Sequence, residues 1–333
     1  MRAYIIRRLL LFVPTLFLLS LIVFFPIRFL PGDVIDLMVA GQETSFYQAG
    51  MTREESIEQI RKDLGLDVPL HIQYGRWVGV LPNGEGRFNG LLQGNLGDSL
   101  WTGRPVTDDI FPRIPVTLEL GILALIIAQL IALPVGVYSA IRQDTWGDYV
   151  GRSIAIICIA VPPFWLGIMI MVFPAIWWNW SPPVVWVSFF EEPIENLKII
   201  IIPAILLGME MSGVTMRLTR TMMLEVLRAD YIRTAWAKGL RERVVVMRHA
   251  LKNALIPVVT IIGMFLPVLI AGTVVVELIF ALPGMGRLMM YALDQRDYTV
   301  LLAINVLIAS VVLIANLAVD IAYAYLDPRV HYK

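Results

Sequence analysis

Three histidines and one cysteine are all that this 333-residue chain offers for soft-metal or nucleophilic chemistry, and His71, His249, His331 and Cys158 stand far apart. Metal ligands come at short spacings, so no metal site is expected. Cys158 lies inside an apolar run, where it reads as a core residue with no disulfide partner in the chain. No Ser/His/Asp grouping follows from spacing, and no G-x-x-x-x-G-K-[ST] loop is present to cradle nucleotide phosphates. The chain is expected to do no bond chemistry and to hold no cofactor of its own.

What remains is charge in costly places. Glu210, in LLGMEMSG, is the ionisable residue deepest inside an apolar run, with Met209 and Ser212 beside it. Ionisable residues within membrane spans are functional candidates by default. A carboxylate here could line a translocation path and meet a substrate amino group; the plainer reading is a polar contact to a neighbouring helix or subunit. Glu277 and Asp320 sit nearer the ends of their runs, where charge costs less and a structural role is the simpler one. Met209, Met211, Met216, Met222 and Met223 suit a pliable surface, although methionine is also ordinary in apolar helices.

The other concentration is basic. Between Arg217 and Lys252 nine positive charges face three negative ones, Glu225, Asp230 and Glu242, and apolar runs flank the segment on both sides. Such an excess places a short loop on the cytoplasmic side. Within it Asp230 reads as an N-cap, Tyr231 to Lys238 as about two helical turns with small Ala235 and Ala237, and Gly239 as a stop. A short helix with a small-residue face suits docking into a groove. From charge alone, a solvated anchor with no partner would serve equally well.

The elements that position these residues are membrane spans. With 58% hydrophobic residues the chain is far more apolar than a soluble domain. Uncharged or nearly uncharged runs predict six spans, from Leu9 to Ile27, Val116 to Ile141, Ser153 to Trp178, Ile199 to Met216, Ala254 to Val276 and Tyr298 to Val319. The first follows Arg2, Arg7 and Arg8 and reads as an uncleaved helix rather than a signal peptide, because RFLPGD offers no small-residue cleavage site. Pro162, Pro163 and Pro174 should kink or end the third, and Trp177, Trp178 and Trp180 form an interface belt. The short loops alternate basic, acidic (Glu191, Glu192, Glu195) and basic, which sets both termini in the cytoplasm. Residues 29–115 form a folded extracytoplasmic loop with one clear helix start, the capping box Thr52 to Glu55, whose helix presents Ile57, Ile60 and Leu64 on one face and stops at Gly65. The expected fold is thus all-α and polytopic: residues 1–28 as terminus and first span, the loop 29–115, a five-helix core over 116–326 containing the basic loop 217–253, and a cytoplasmic tail 327–333.

On these residues the chain resembles the permease subunits of bacterial ABC importers, in the dipeptide and oligopeptide branch, first or B-type subunit. The general importer loop reads Glu-Ala-Ala, three residues, Gly, nine residues, Ile-x-Leu-Pro, and falls here on Arg233, Thr234, Ala235, Gly239, His249, Leu251 and Lys252. Arg233, Thr234, His249 and Lys252 depart from it, but DYIRTAWAKGL followed by RHALKNALIP is the form the peptide branch uses. DLGLDVPLHIQYGRW, LLQGNLGDSLWTGRPV, FALPGMGRLMMYALDQRDY and LDPRV resemble the same branch, whereas the 40–51 segment matches nothing in it.

The resemblance implies a coupling helix over Asp230, Tyr231, Thr234, Ala235, Ala237, Lys238, Gly239 and Arg241 that fits a groove on an ATPase subunit. It implies as partners a homologous second permease, two cytoplasmic ATPases that bind ATP and Mg, and an extracytoplasmic solute-binding protein, in a bacterial or archaeal cytoplasmic membrane and with no nucleic acid. The cargo of this branch ranges over dipeptides, longer peptides, glutathione, nickel complexes and sugars. The competing class is an ion-coupled secondary transporter, for which Glu210 is the one supporting residue. A membrane-embedded enzyme would need His, Asp or Ser clustered at one depth, and no such cluster is found.

Overall fold

The computed structural model describes residues 2–28, 52–63, 65–84 and 86–326. The 40–51 segment, Leu64 and the 327–333 tail lie outside the described residues. In chain order the helices are α1 (Arg2–Arg28), α2 (Arg53–Asp63), α3 (Leu70–Val78), α4 (Val106–Ile110), α5 (Ile114–Ile141), α6 (Trp146–Ala160), α7 (Pro163–Trp178), α8 (Pro193–Leu227), α9 (Asp230–Ala237), α10 (Glu242–Val244), α11 (Leu251–Ile279), α12 (Met285–Asp294) and α13 (Tyr298–Leu326). The only other regular pieces among the described residues are a 3-10 turn, Leu91–Gln93, a π-helical turn, Val245–Ala250, and an isolated bridge between Asp98 and Pro105.

Four stretches of the described residues are long and apolar enough to cross a membrane: Val106–Ile141, Pro193–Leu227, Glu242–Phe265 and Tyr298–Val319. The helices α6 and α7 qualify only as a pair, bent by 90°. The bend has a local cause. Pro162 has no N–H to give and pushes Val161 into extended backbone (ψ 118°), so the helix stops and restarts with Pro163 in its first turn. Pro174 sits inside α7 without ending it. Within α1, Leu10–Pro26 forms a shorter apolar segment.

The chain divides into two compact units. The first comprises residues 1–12, 113–287 and 310–333. Its centre is the packing of α5 on α8. On α5, Val116, Leu120, Ala124, Ala128, Ala132, Gly136 and Ala140 are all buried, every fourth residue along the helix. Helices in lipid gain little from burying apolar surface against one another, so they associate where small residues let backbones come close. A Cβ on Gly208 of α8 would stand 2.7 Å from the Ala124 carbonyl oxygen, and one on Gly136 would stand 2.8 Å from Thr219 Cβ. The same device seats α6, since a Cβ on Gly213 would stand 2.7 Å from the Ala155 carbonyl oxygen. At 35 residues α8 is about 52 Å long at 1.5 Å per residue, well beyond a bilayer core of about 30 Å. The helix therefore carries on past Met216, and the basic segment begins inside it.

The second unit comprises residues 13–112 and 288–309. Phe24 of α1 is fully buried among Tyr74 and Trp77 of α3, and Ser20 shares a 2.7 Å hydrogen bond with the Tyr74 hydroxyl. The expected capping box is present: the Thr52 amide donates to Glu55 (2.8 Å) and the Glu55 amide to Thr52 Oγ1 (3.3 Å). Asp297, just before α13, is buried and gathers the loop after the 3-10 turn. It accepts from Ser99 Oγ (2.6 Å) and from the amides of Leu100 and Val300, both at 3.2 Å, while Trp101 Nε1 donates to the Gln295 carbonyl (2.8 Å).

Candidate functional site

The short helix in the basic segment is real and lies one residue off the expected frame. Ala229 in extended backbone precedes it without a side-chain cap, so Asp230 is its first residue and not its N-cap. There the exposed carboxylate faces Arg233 at 3.6 Å, a placement that still suits the positive end of a helix. Gly239 ends α9 as expected. Its φ is +76°, its amide donates to Trp236 O (2.9 Å), and the Leu240 amide reaches back to Ala235 O (3.4 Å), the paired bonds of a Schellman stop.

The faces of α9 divide sharply. Ile232 (0% exposed) and Ala235 (7% exposed) point inward to a cluster with Met223, Val245, Val246, Ala250 and Ala254. Of the two alanines expected to form a docking face, Ala235 is therefore spent on the chain's own core, and only Ala237 is exposed. Tyr231 accepts a hydrogen bond from Asn253 Nδ2 (2.9 Å), tying α9 to α11, and Thr234 Oγ1 donates to Asp230 O (3.0 Å). Outward stand Arg233, Trp236, Ala237, Lys238, Leu240 and Arg241, a surface both apolar and basic. The π turn follows α10 and holds Val245, Val246 and Ala250 against α9, closing the knot that fixes this helix.

The candidates around Glu210 do not share a surface. Glu210 is exposed, Met209 is half-buried against the α5/α8 core, and Ser212 is 2% exposed with its hydroxyl donating to the Met209 carbonyl (2.7 Å). Glu210, Val214, Arg217, Thr221 and Glu225 lie on one face of α8, at offsets of four, seven, eleven and fifteen residues. Ser212 faces the other way.

Among the described residues two carboxylates are fully buried: Asp148, which spacing does not single out, and Glu277, for which a structural role is the simpler expectation. Asp148 of α6 is fully buried and takes a two-pronged hydrogen bond from Arg220 of α8, through Nε (2.7 Å) and Nη2 (2.8 Å), plus the Asp144 amide at 3.0 Å. Arg152 approaches the same carboxylate at 3.4 Å. These partners are 72 residues apart, so no local pattern announces them. Glu277 is also fully buried: it accepts from Thr117 Oγ1 (2.7 Å) and the Arg287 amide (2.9 Å), and Thr117 Oγ1 accepts in turn from the Met285 amide (2.9 Å). A Cβ on Gly284 would collide with the Glu277 carboxylate, so glycine is needed there to let the turn close over it. This geometry gives Glu277 the structural role. Among the described residues no three His, Cys, Asp or Glu side chains gather as a metal site.

Two family models cover nearly the whole chain. Residues 132–332 match the binding-protein-dependent transport system inner membrane component, and residues 1–121 match the N-terminal region of such membrane components. Among curated relatives, the dipeptide transport system permease protein DppB of Alkalihalophilus pseudofirmus is 35% identical over 352 aligned positions, covering all of both chains. The glutathione transport system permease protein GsiC of Salmonella paratyphi A is 36% identical over 330 positions, 99% of each chain. The MetNI methionine ABC transporter, in inward-facing conformations, shares the fold with a TM-score of 0.53 at 18% identity, over 66% of this chain and 96% of that one. With every described element helical apart from one isolated bridge, and with apolar helices long enough to span, the chain belongs to the inner-membrane components of binding-protein-dependent transport systems, as the permease part of an ABC importer and not its ATPase.

Proposed function

We propose that this permease imports peptide-like solutes, forming half of a pathway whose other half is a homologous second permease. Two cytoplasmic ATPases and an extracytoplasmic solute-binding protein complete the complex. The relatives named for dipeptide and glutathione transport, aligned along their whole length, support that solute class. In this reading α1, α5, the bent pair α6/α7, α8, α11 and α13 make six crossings, both termini are cytoplasmic, and residues 29–115 face outward.

The observation that carries the coupling role is the division of α9. One face, Ile232 and Ala235, is locked to the chain's own core, and the other offers Trp236 and Leu240 with Lys238 and Arg241. A helix held rigidly from behind and uncovered in front can pass a push from a partner into α8 and α11. ATP binding would close the ATPase pair, α9 would carry the motion, and the pathway would alternate between two arrangements. A mid-span carboxylate left uncovered by its own chain must face water or another subunit, which supports placing Glu210 on the pathway, near a substrate amine.

The test is a mild-detergent purification of the chain from its native membrane with mass spectrometry and an ATPase assay. Two Walker-containing chains and a second permease should copurify with activity. Trp236→Ala with Leu240→Ala should lose the ATPases while the permease remains folded; undiminished association would remove α9 from the coupling role. Ala235→Trp is the poorer variant, because it strikes the core.

A further inference from the structure

Where α5, α6 and α8 reach the charged turn at residues 142–145, they leave a cavity of about 110 Å³ that is no part of α9; its rim takes in Arg217 and Thr221, which lie further along the face of α8 that carries Glu210. It is several times the roughly 10–15 Å³ that admits a water. Val135, Ile156 and Met216 give it an apolar flank, and Arg152, Arg217 and Arg220 give it charge. Ser139, 2% exposed, lines it with a hydroxyl that has no hydrogen-bond partner, and Arg152 Nε is buried there without an acceptor. Buried donors of this kind are costly unless something accepts from them.

The charges do not cancel. Arg220 and Arg152 are answered by Asp148 and, at 3.8 Å, by Asp144, while the exposed Arg217 guanidinium makes no ion pair with any described residue. Three guanidiniums thus meet two carboxylates, leaving one positive charge. Around this end of the helices Trp146, Tyr149 and Tyr138 are 81%, 54% and 53% exposed, the placement of aromatic side chains at a membrane surface.

We infer that this cavity binds the phosphate of an anionic phospholipid, with Arg217, Arg152 Nε and Ser139 Oγ donating to it. A phosphodiester carries the single negative charge that is missing and offers acceptors to each unpaired donor. The apolar flank favours a lipid over a free phosphate, because the glycerol ester and first acyl carbons can lie against Val135, Ile156 and Met216. The site depends only on this end of the bundle lying at a bilayer surface, not on which solute is carried.

The experiment is native mass spectrometry of the purified transporter equilibrated with equal amounts of phosphatidylglycerol and phosphatidylcholine. One phosphatidylglycerol per copy of this chain should be retained in preference. Arg217→Gln should weaken retention about tenfold, the loss of one charge-assisted hydrogen bond. Ile156→Trp, which keeps every charge but narrows the apolar mouth, should weaken it too, and Arg248→Gln, at an exposed arginine of the π turn, should not. Equal retention of both lipids, or retention indifferent to Arg217→Gln, would overturn the site. Displacement of the lipid by inorganic phosphate alone would overturn the lipid assignment in favour of a free anion.

Discussion

Ile232 and Trp236 stand four residues apart on an eight-residue helix and are given opposite tasks. Ile232 is fully buried, so Ile232→Ala should cost about 2–5 kcal/mol, measurable as a lowered unfolding transition in detergent. Trp236→Ala removes a side chain that is 44% exposed and should leave that transition nearly unmoved while weakening ATPase association. If the Glu210 carboxylate faces the pathway, Glu210→Gln should reduce uptake of solutes with a free amine more than uptake of amine-blocked analogues, in proteoliposomes matched for ATPase rate. An equal reduction for both would return Glu210 to a subunit contact. Gly239 is legible in sequence because a positive φ at a helix end favours glycine. The task of Ser212 was not legible, because a serine in an apolar helix serves as well for a pathway as for the bond it makes back to the Met209 carbonyl.

At the scale of elements, the α5/α8 contact depends on the absence of side chains. Gly208→Ala would press a methyl against the Ala124 carbonyl, a backbone atom that cannot turn aside, and should destabilise by about 1–3 kcal/mol in a thermal unfolding assay. Gly65 has open space around its missing Cβ, so a replacement there feels only its φ of +64°. The start of α2 gives a pH-dependent case. Hydrogen bonds from the Thr52 amide and hydroxyl hold the exposed Glu55 carboxyl below the usual carboxylate range. Its contribution is present above the ordinary glutamate pKa and is lost as pH falls through the lowered one. Protection of the first-turn amides of α2, measured as exchange relative to the intrinsic rate at each pH, should therefore fall on acidification, and Thr52→Ala should lower it already at neutral pH. The span expected from Ser153 to Trp178 was continuous on composition. Its prolines flagged a break, but the 90° turn between α6 and α7 also depends on how each half packs on the rest of the unit.

For the whole molecule, membership in a binding-protein-dependent importer accounts for a chain that carries neither a nucleotide loop nor a metal cluster in its sequence. The ion-coupled class, which Glu210 alone recommended, yields to that membership. Sequence by itself determined the membrane class, the helical fold, the basic helix with its glycine stop and the branch of the family, because these rest on composition and on spacings within a few residues. Tertiary structure alone decided which face of α9 is covered, that Asp148 and Arg220 meet across 72 residues with an Arg-lined cavity beside Arg220, and that Asp297 gathers the Ser99 loop. The physical reason lies in periodicity. Helical spacing states which residues share a face, yet a membrane helix is apolar nearly all round. Which face meets protein, lipid or water is then settled by where small residues allow backbones to approach and where buried charges find each other.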